Sequence, residues 1–142
     1  MAQQREGRLL KEWIWEHHPD VPVHYNYPLG EHAEEKGFKE YMTLAPRCDA
    51  LYVDDEVIFI VEAKIVDEHK GIAELLNYKR LVPKTTSLRQ YIGLPIELIL
   101  LRAREKPDVT EAAIDAGITP VLFRPKWVVE YLTELVKNRR QR

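Results

Sequence analysis

Asp49, Glu62 and Lys64 carry the spacing most suggestive of chemistry in this chain. They fall on two apolar runs, 48–53 and 57–65, separated by Asp54-Asp55-Glu56, a length that suits a tight β-hairpin. In such a hairpin Asp49 lies across from residues 60 to 62. Its carboxylate is then a direct or diagonal neighbour of Glu62, within about 5–8 Å. Glu62 and Lys64 share a parity, so both leave the strand on one side. Two carboxylates and an ammonium at the end of a buried strand are costly unless paired or bound to an ion. A divalent cation resolves the clash. Mg²⁺ suits this donor set, because it takes a few carboxylate oxygens and keeps waters and phosphate oxygens for the rest. Such an ion polarises a phosphodiester and helps generate hydroxide at neutral pH. A lysine beside it orients the attacking water or offsets charge developing at phosphorus. The carbonyl of Ala63, between the two charged residues, offers a further ligand.

Glu6 adds a possible third carboxylate. It precedes Leu9 and Leu10 by three and four residues and so extends their apolar stripe by one turn. One reading is a first-turn glutamate favoured by the helix dipole; the other is that a helix packed on the sheet delivers Glu6 to the metal. Glu-x-Lys by itself also describes a solvated ion pair at a strand end. The hairpin aspartate favours the metal site. His17-His18 point apart on a helix and have no second cluster to join, so they read as a helix end. Tyr25 and Tyr27 read as core or edge-strand packing before base stacking.

The elements that must hold these residues follow from periodicity. Leu9, Leu10, Trp13 and Ile14 mark an amphipathic helix over about 4–16. An extended, proline-punctuated segment follows around His24, Tyr25 and Tyr27. Residues 29–46, with Glu31, Glu34, Glu35, Lys36, Gly37, Lys39 and Glu40, read as a loop or a short irregular hairpin. The 57–65 run is apolar on both parities, as in a central strand covered on both faces. A helix over 68–82 shows Ile72, Leu75 and Leu76 and stops at Pro83. A strand over 96–101, a short helix capped by Asp108 or Thr110 and ending at Gly117, a strand over 119–123 and a C-terminal helix opened by Pro125 complete the chain. Trp127, Val128, Tyr131, Leu132 and Leu135 line that last helix. The order α-β-β-β-α-β-α-β-α implies a mixed, partly parallel sheet with helices on both faces, in one domain over 1–142.

Composition bounds the function. At 142 residues and a formal net charge of −2, the chain is no strongly basic, non-specific nucleic-acid binder. That balance leaves room for an enzyme with a local basic groove and bound metal. A single cysteine, Cys48, rules out an internal disulfide and a cysteine-based zinc site. The start has no signal-peptide pattern and no stretch approaches membrane-spanning length, so a cytoplasmic protein with no membrane partner is expected.

Asp49 followed by Glu62-Ala63-Lys64 on the next strand resembles the PD-(D/E)xK nuclease superfamily, which includes restriction endonucleases and archaeal-type Holliday junction resolvases. Pro46-Arg47-Cys48-Asp49 stands where the first motif stands, with Cys48 in place of the usual proline. Glu6 is similar to the helix-borne glutamate of many members. Glu74 and Tyr78 occupy the place of the family's glutamine and aromatic residue, with Glu74 replacing the glutamine. The resemblance implies a restriction-endonuclease-like α-β-β-β-α-β core. It also implies an Mg²⁺-dependent endonuclease acting on DNA, with Mn²⁺ able to substitute. Asp49, Glu62, the Ala63 carbonyl and Glu6 would bind the metal, and Asp49, Glu62 and Lys64 would be catalytic. Arg47, Lys36, Lys39, Tyr78 and Lys79 are the expected contacts to nucleic acid. Small members often pair two sites for two strands, so a homodimer is expected. The alternative is a catalytically silent module of this fold that binds nucleic acid or a protein.

Overall fold

The computed structural model describes residues 2–17, 19–30 and 45–140. In chain order these form α1 (Ala2–His17), β1 (His24–Pro28), β2 (Arg47–Asp54), β3 (Val57–Lys64), α2 (Glu68–Leu81), β4 (Ile96–Arg102), α3 (Pro107–Asp115), β5 (Ile118–Leu122) and α4 (Lys126–Arg140). The order matches the hydrophobic pattern. Two 3₁₀ turns, Val82–Lys84 and Thr86–Tyr91, fill a connection that carries no periodic signal. Most of the expected 29–46 loop, including Lys36 and Lys39, lies outside the described residues. Its two ends are joined, since Leu29 N–H donates to the Pro46 carbonyl at 2.9 Å.

The protein is an α/β protein with a five-stranded mixed sheet, ordered β1-β2-β3-β4-β5 and flanked by helices. β1, β2 and β3 pair antiparallel; β3, β4 and β5 run parallel. The β2–β3 turn is tight because Asp55 and Glu56 both take positive φ, 49° and 60°, the pairing whose twist matches the flanking strands. The parallel strands need crossovers, and α2 and α3 supply them.

Strand parity sends apolar side chains into two cores. Ile58, Ile60, Leu98 and Leu100 pack with Ile72, Leu75 and Tyr78 of α2 and with Val109 and Ala113 of α3. Val61, Ala63, Ile99 and Leu101 face the other way, onto Leu9, Leu10, Trp13 and Ile14 of α1 and Val128 of α4. β3 is therefore covered on both faces, as its unbroken apolar run requires.

Two local expectations are corrected. Leu76 is 42 % exposed, because one residue past Leu75 is about 100° around the helix and leaves the buried stripe. Neither Asp108 nor Thr110 caps α3. Lys106 is its N-cap residue without a side-chain cap bond, Pro107 opens the helix, and Thr110 Oγ1 donates back to the Lys106 carbonyl. Among the described residues no helix is long and apolar enough to cross a membrane.

Candidate active site

The β2–β3 register pairs Ala50 with Val61, so the next step puts Asp49 opposite Glu62. There side chains take over from the ladder. Asp49 N–H donates to Glu62 Oε1 at 3.2 Å, and Ala63 N–H donates to Asp49 Oδ2 at 2.9 Å. The β1–β2 register also skips this point, pairing Tyr25 with Ala50 and Tyr27 with Cys48, while Asn26 takes a φ of 52°. Cys48 and Leu51 both enter the α2-side core, although an even pleat would send them to opposite faces. The backbone of β2 is thus re-aimed around Asp49, which opens its carboxylate to a cleft of about 440 Å³ lined by Gln4, Glu6, Lys11, Tyr25 and Asn26.

Glu62 and Lys64 continue the Ile58–Ile60 row and meet α2. Lys64 Nζ lies 3.0 Å from Glu74 Oε1 and 3.8 Å from Glu62 Oε2. The Tyr78 hydroxyl donates to Glu74 Oε2 at 3.1 Å and also lies 3.0 Å from the Arg47 carbonyl. From the other face, α1 brings Glu6, whose Oε2 accepts Ile65 N–H at 3.1 Å. A strand residue's N–H and C=O leave on the same edge, so the Ala63 carbonyl faces the side on which its N–H meets Asp49.

The cluster is electrostatically crowded. Burial, a hydrogen bond with Glu74 and the charge of Asp49 push the Glu62 carboxyl up to about 10. Burial also raises Asp49 and Glu6, against the opposing pull of the Ala63 and Ile65 amides and of Lys64. Burial would raise Glu74 too, but its hydrogen bonds with Glu62 and Lys64 outweigh that and leave it below the usual carboxylate range. Burial alone would lower Lys64; Glu74, Glu62 and Glu6 overcome it, so the amine stays protonated. Burial raises the Cys48 thiol, reinforced by Glu62 and Asp49, which leaves it a poor nucleophile.

Asp49, Glu62, Ala63, Lys64 and Glu6 are therefore brought together, and Glu74 joins them. Its place could be found in the sequence, one turn before Tyr78, but its partner could not. Arg47 is exposed two residues before Asp49, with Nη1 donating to the Asn26 carbonyl at 3.1 Å. Tyr78 is 5 % exposed: its ring is core and its hydroxyl is committed to Glu74 and the Arg47 carbonyl, so it braces the cluster from α2. Lys79 is exposed in the last turn of α2, about 140° around from Glu74, where the helix dipole favours a cation. Lys36 and Lys39 lie outside the described residues. Among the described residues, no three His, Cys, Asp or Glu side chains form a ready-made metal cage. No protein-family model, curated protein or solved structure matches the chain. Fold and geometry thus define an α/β protein with a carboxylate–lysine cluster at the C-terminal end of the central strand of its mixed sheet.

Proposed function

We propose that this chain is a divalent-metal-dependent endonuclease of the restriction-endonuclease-like class that hydrolyses DNA phosphodiester bonds. The observation that carries this is the convergence of Asp49, Glu62 and Lys64 where the β2–β3 ladder ends, with Glu6 delivered from α1. The donor set fits Mg²⁺ or Mn²⁺: it is all oxygen, and it holds more carboxyl groups than one lysine can pair. Two carboxylates and a carbonyl suffice for an ion that keeps several waters. Asp49 and Glu62 would hold it, with the Ala63 carbonyl and Glu6 beside them. When bound, the ion would polarise the phosphodiester and supply a nucleophile from water at neutral pH.

The chain's own residues do the rest. Lys64 orients the attacking water and offsets charge building on the phosphoryl oxygens. Glu74, anchored by Tyr78, holds Lys64 in place. The cleft beside Asp49 admits the scissile strand, with Lys11 and Asn26 on its wall. Pairing of two copies, one site per strand, belongs to the same proposal, and sedimentation at working concentration tests it.

Plasmid, single-stranded and branched DNA incubated with Mg²⁺ or Mn²⁺ test the activity, beside Asp49→Ala and Lys64→Ala. Each substitution is expected to lower the rate by about 10²–10⁴. Equal cleavage by wild type and variants would sink the site assignment. No cleavage of any substrate by wild type would favour a silent binding module instead.

A further inference from the structure

Charge is distributed unevenly between the two ends of the parallel strands. At their N-terminal ends the chain places Asp54, Asp55 and Glu56 in the hairpin turn, Glu97 at the start of β4 and Asp115 at the end of α3. The C-terminal ends are aligned, Lys64 with Arg102 and Arg102 with Leu122. The connections leaving that edge carry Arg104, Lys106, Arg124 and Lys126, with Lys70 in the first turn of α2. Acids there are mostly committed. Arg104 holds buried Glu68 through two bonds of 2.8 and 2.6 Å, Asp108 meets His69 at 3.1 Å, and Glu105 lies 3.8 Å from Arg102. Asp67 remains, within electrostatic reach of Arg104. Among the described residues, Lys106, Arg124 and Lys126 form no salt bridge.

Two further observations point to an external anion. α4 begins at Lys126, directly after Arg124-Pro125, with no acid in its first turn, whereas α3, which begins after Lys106 without a side-chain cap, carries Asp108 there. Cations at helix N-termini oppose the dipole and cost stability unless an anion shares the site. Arg102 is 3 % exposed, its Nε has no partner, and its Nη1 reaches the Arg104 carbonyl at 2.8 Å, so a buried positive charge backs the same edge.

We infer that this edge is a phosphate-backbone interface, continuous with Lys64, along which the DNA strand to be cut is laid by Lys106, Arg124 and Lys126. It rests on the nuclease proposed above and names where that enzyme holds its substrate. Strands about 4.8 Å apart put the connections after β3, β4 and β5 across about 10 Å, room for contacts to neighbouring phosphates. A net charge of −2 is no obstacle, since field at one edge steers a polyanion whatever the total.

Anisotropy of a short labelled DNA duplex, with Ca²⁺ in place of Mg²⁺, tests the interface across a salt series. The combined Lys106→Ala, Arg124→Ala and Lys126→Ala variant should weaken binding by at least about tenfold and flatten the log K against log salt slope by about 2–3. Its melting temperature should hold or rise, which separates lost contact from lost fold. The same charge removed from the far end of α4 (Lys137→Ala, Arg139→Ala, Arg140→Ala) should change binding less than twofold. Equal losses in the two triple variants would overturn the interface. Hydrolysis by wild type, scored separately in Mg²⁺ or Mn²⁺, tells the failures apart. Cleavage with an unaffected edge variant overturns the interface alone. Edge-dependent binding without cleavage supports the interface and overturns the nuclease. No binding by wild type overturns the interface outright.

Discussion

Lys64 is a long, flexible side chain that the site must hold still if it is to act on a reacting phosphate. Glu74 does this from α2, 3.0 Å from Nζ, and is itself fixed by the Tyr78 hydroxyl. Its carboxylate also raises Glu62, so it works against ionisation of the proposed ligand while it positions the amine. The two duties separate on substitution. Glu74→Gln keeps an acceptor for Lys64 but removes a charge beside Glu62, so cleavage should stay within about tenfold of wild type and half-saturation by Mg²⁺ should move lower. Glu74→Ala releases Lys64 and should cost about 10² in kcat. Initial rates over a Mg²⁺ series check both, and a fully active Glu74→Ala would show that Lys64 needs no such anchor.

At the scale of elements, the site depends on how closely α2 lies on β3 and β4. Gly71 sets that distance: a Cβ there would fall 2.6 Å from Leu100 Cδ1 and 2.9 Å from Lys64 Cγ. Gly71→Ala gains about 1 kcal/mol of helix propensity and loses about 1–3 kcal/mol to overpacking. Stability should therefore fall by no more than about 2 kcal/mol in a denaturant melt, while cleavage falls further because Lys64 is pushed aside. Unchanged activity would remove Gly71 from the site's support. The elements were legible where one periodicity ran uninterrupted, as in the 9–14 stripe, the two-sided 57–65 strand and the tight hairpin that sets Asp49 against Glu62. Legibility failed where a single backbone angle decides the outcome. Asn26 at φ 52°, the re-aimed strand at Asp49 and the uncapped start of α3 have no composition signal, because they are set by the neighbours that fold against them. The hold of Glu74 on Lys64 and the buried Glu68–Arg104 pair were invisible for a related reason: each partner sits on another element, and spacing along the chain does not reveal it.

For the whole molecule, crowded carboxylates make folding depend on protons and, on the proposed reading, on metal. Glu62 titrates near 10 when folded and near 4.5 when unfolded, so between those values the folded chain keeps a proton that the unfolded chain has lost. Stability from this group is complete below about 4.5 and is lost as pH rises toward 10, by at most about 1.4 kcal/mol per pH unit. The raised Asp49 and Glu6 act in the same direction. Glu68 and Glu74, held below the usual range, act oppositely and withdraw their support only in acid, as pH falls through their folded values. The metal-free protein should then be most stable in mild acid and melt at falling temperature from about pH 6 to about pH 9. On the proposed reading a divalent ion would take Glu62 as the carboxylate and displace its proton, so its stabilisation should grow over the same range, reaching about 2.7 kcal/mol at a hundredfold excess over Kd. Melting curves in EDTA and in Mg²⁺ across pH read this directly, with Glu62→Gln as the control. That variant should melt higher than wild type in EDTA at alkaline pH, show a flatter pH profile and lose most of the response to metal. A metal response in Glu62→Gln equal to that of wild type would mean that the ion binds elsewhere.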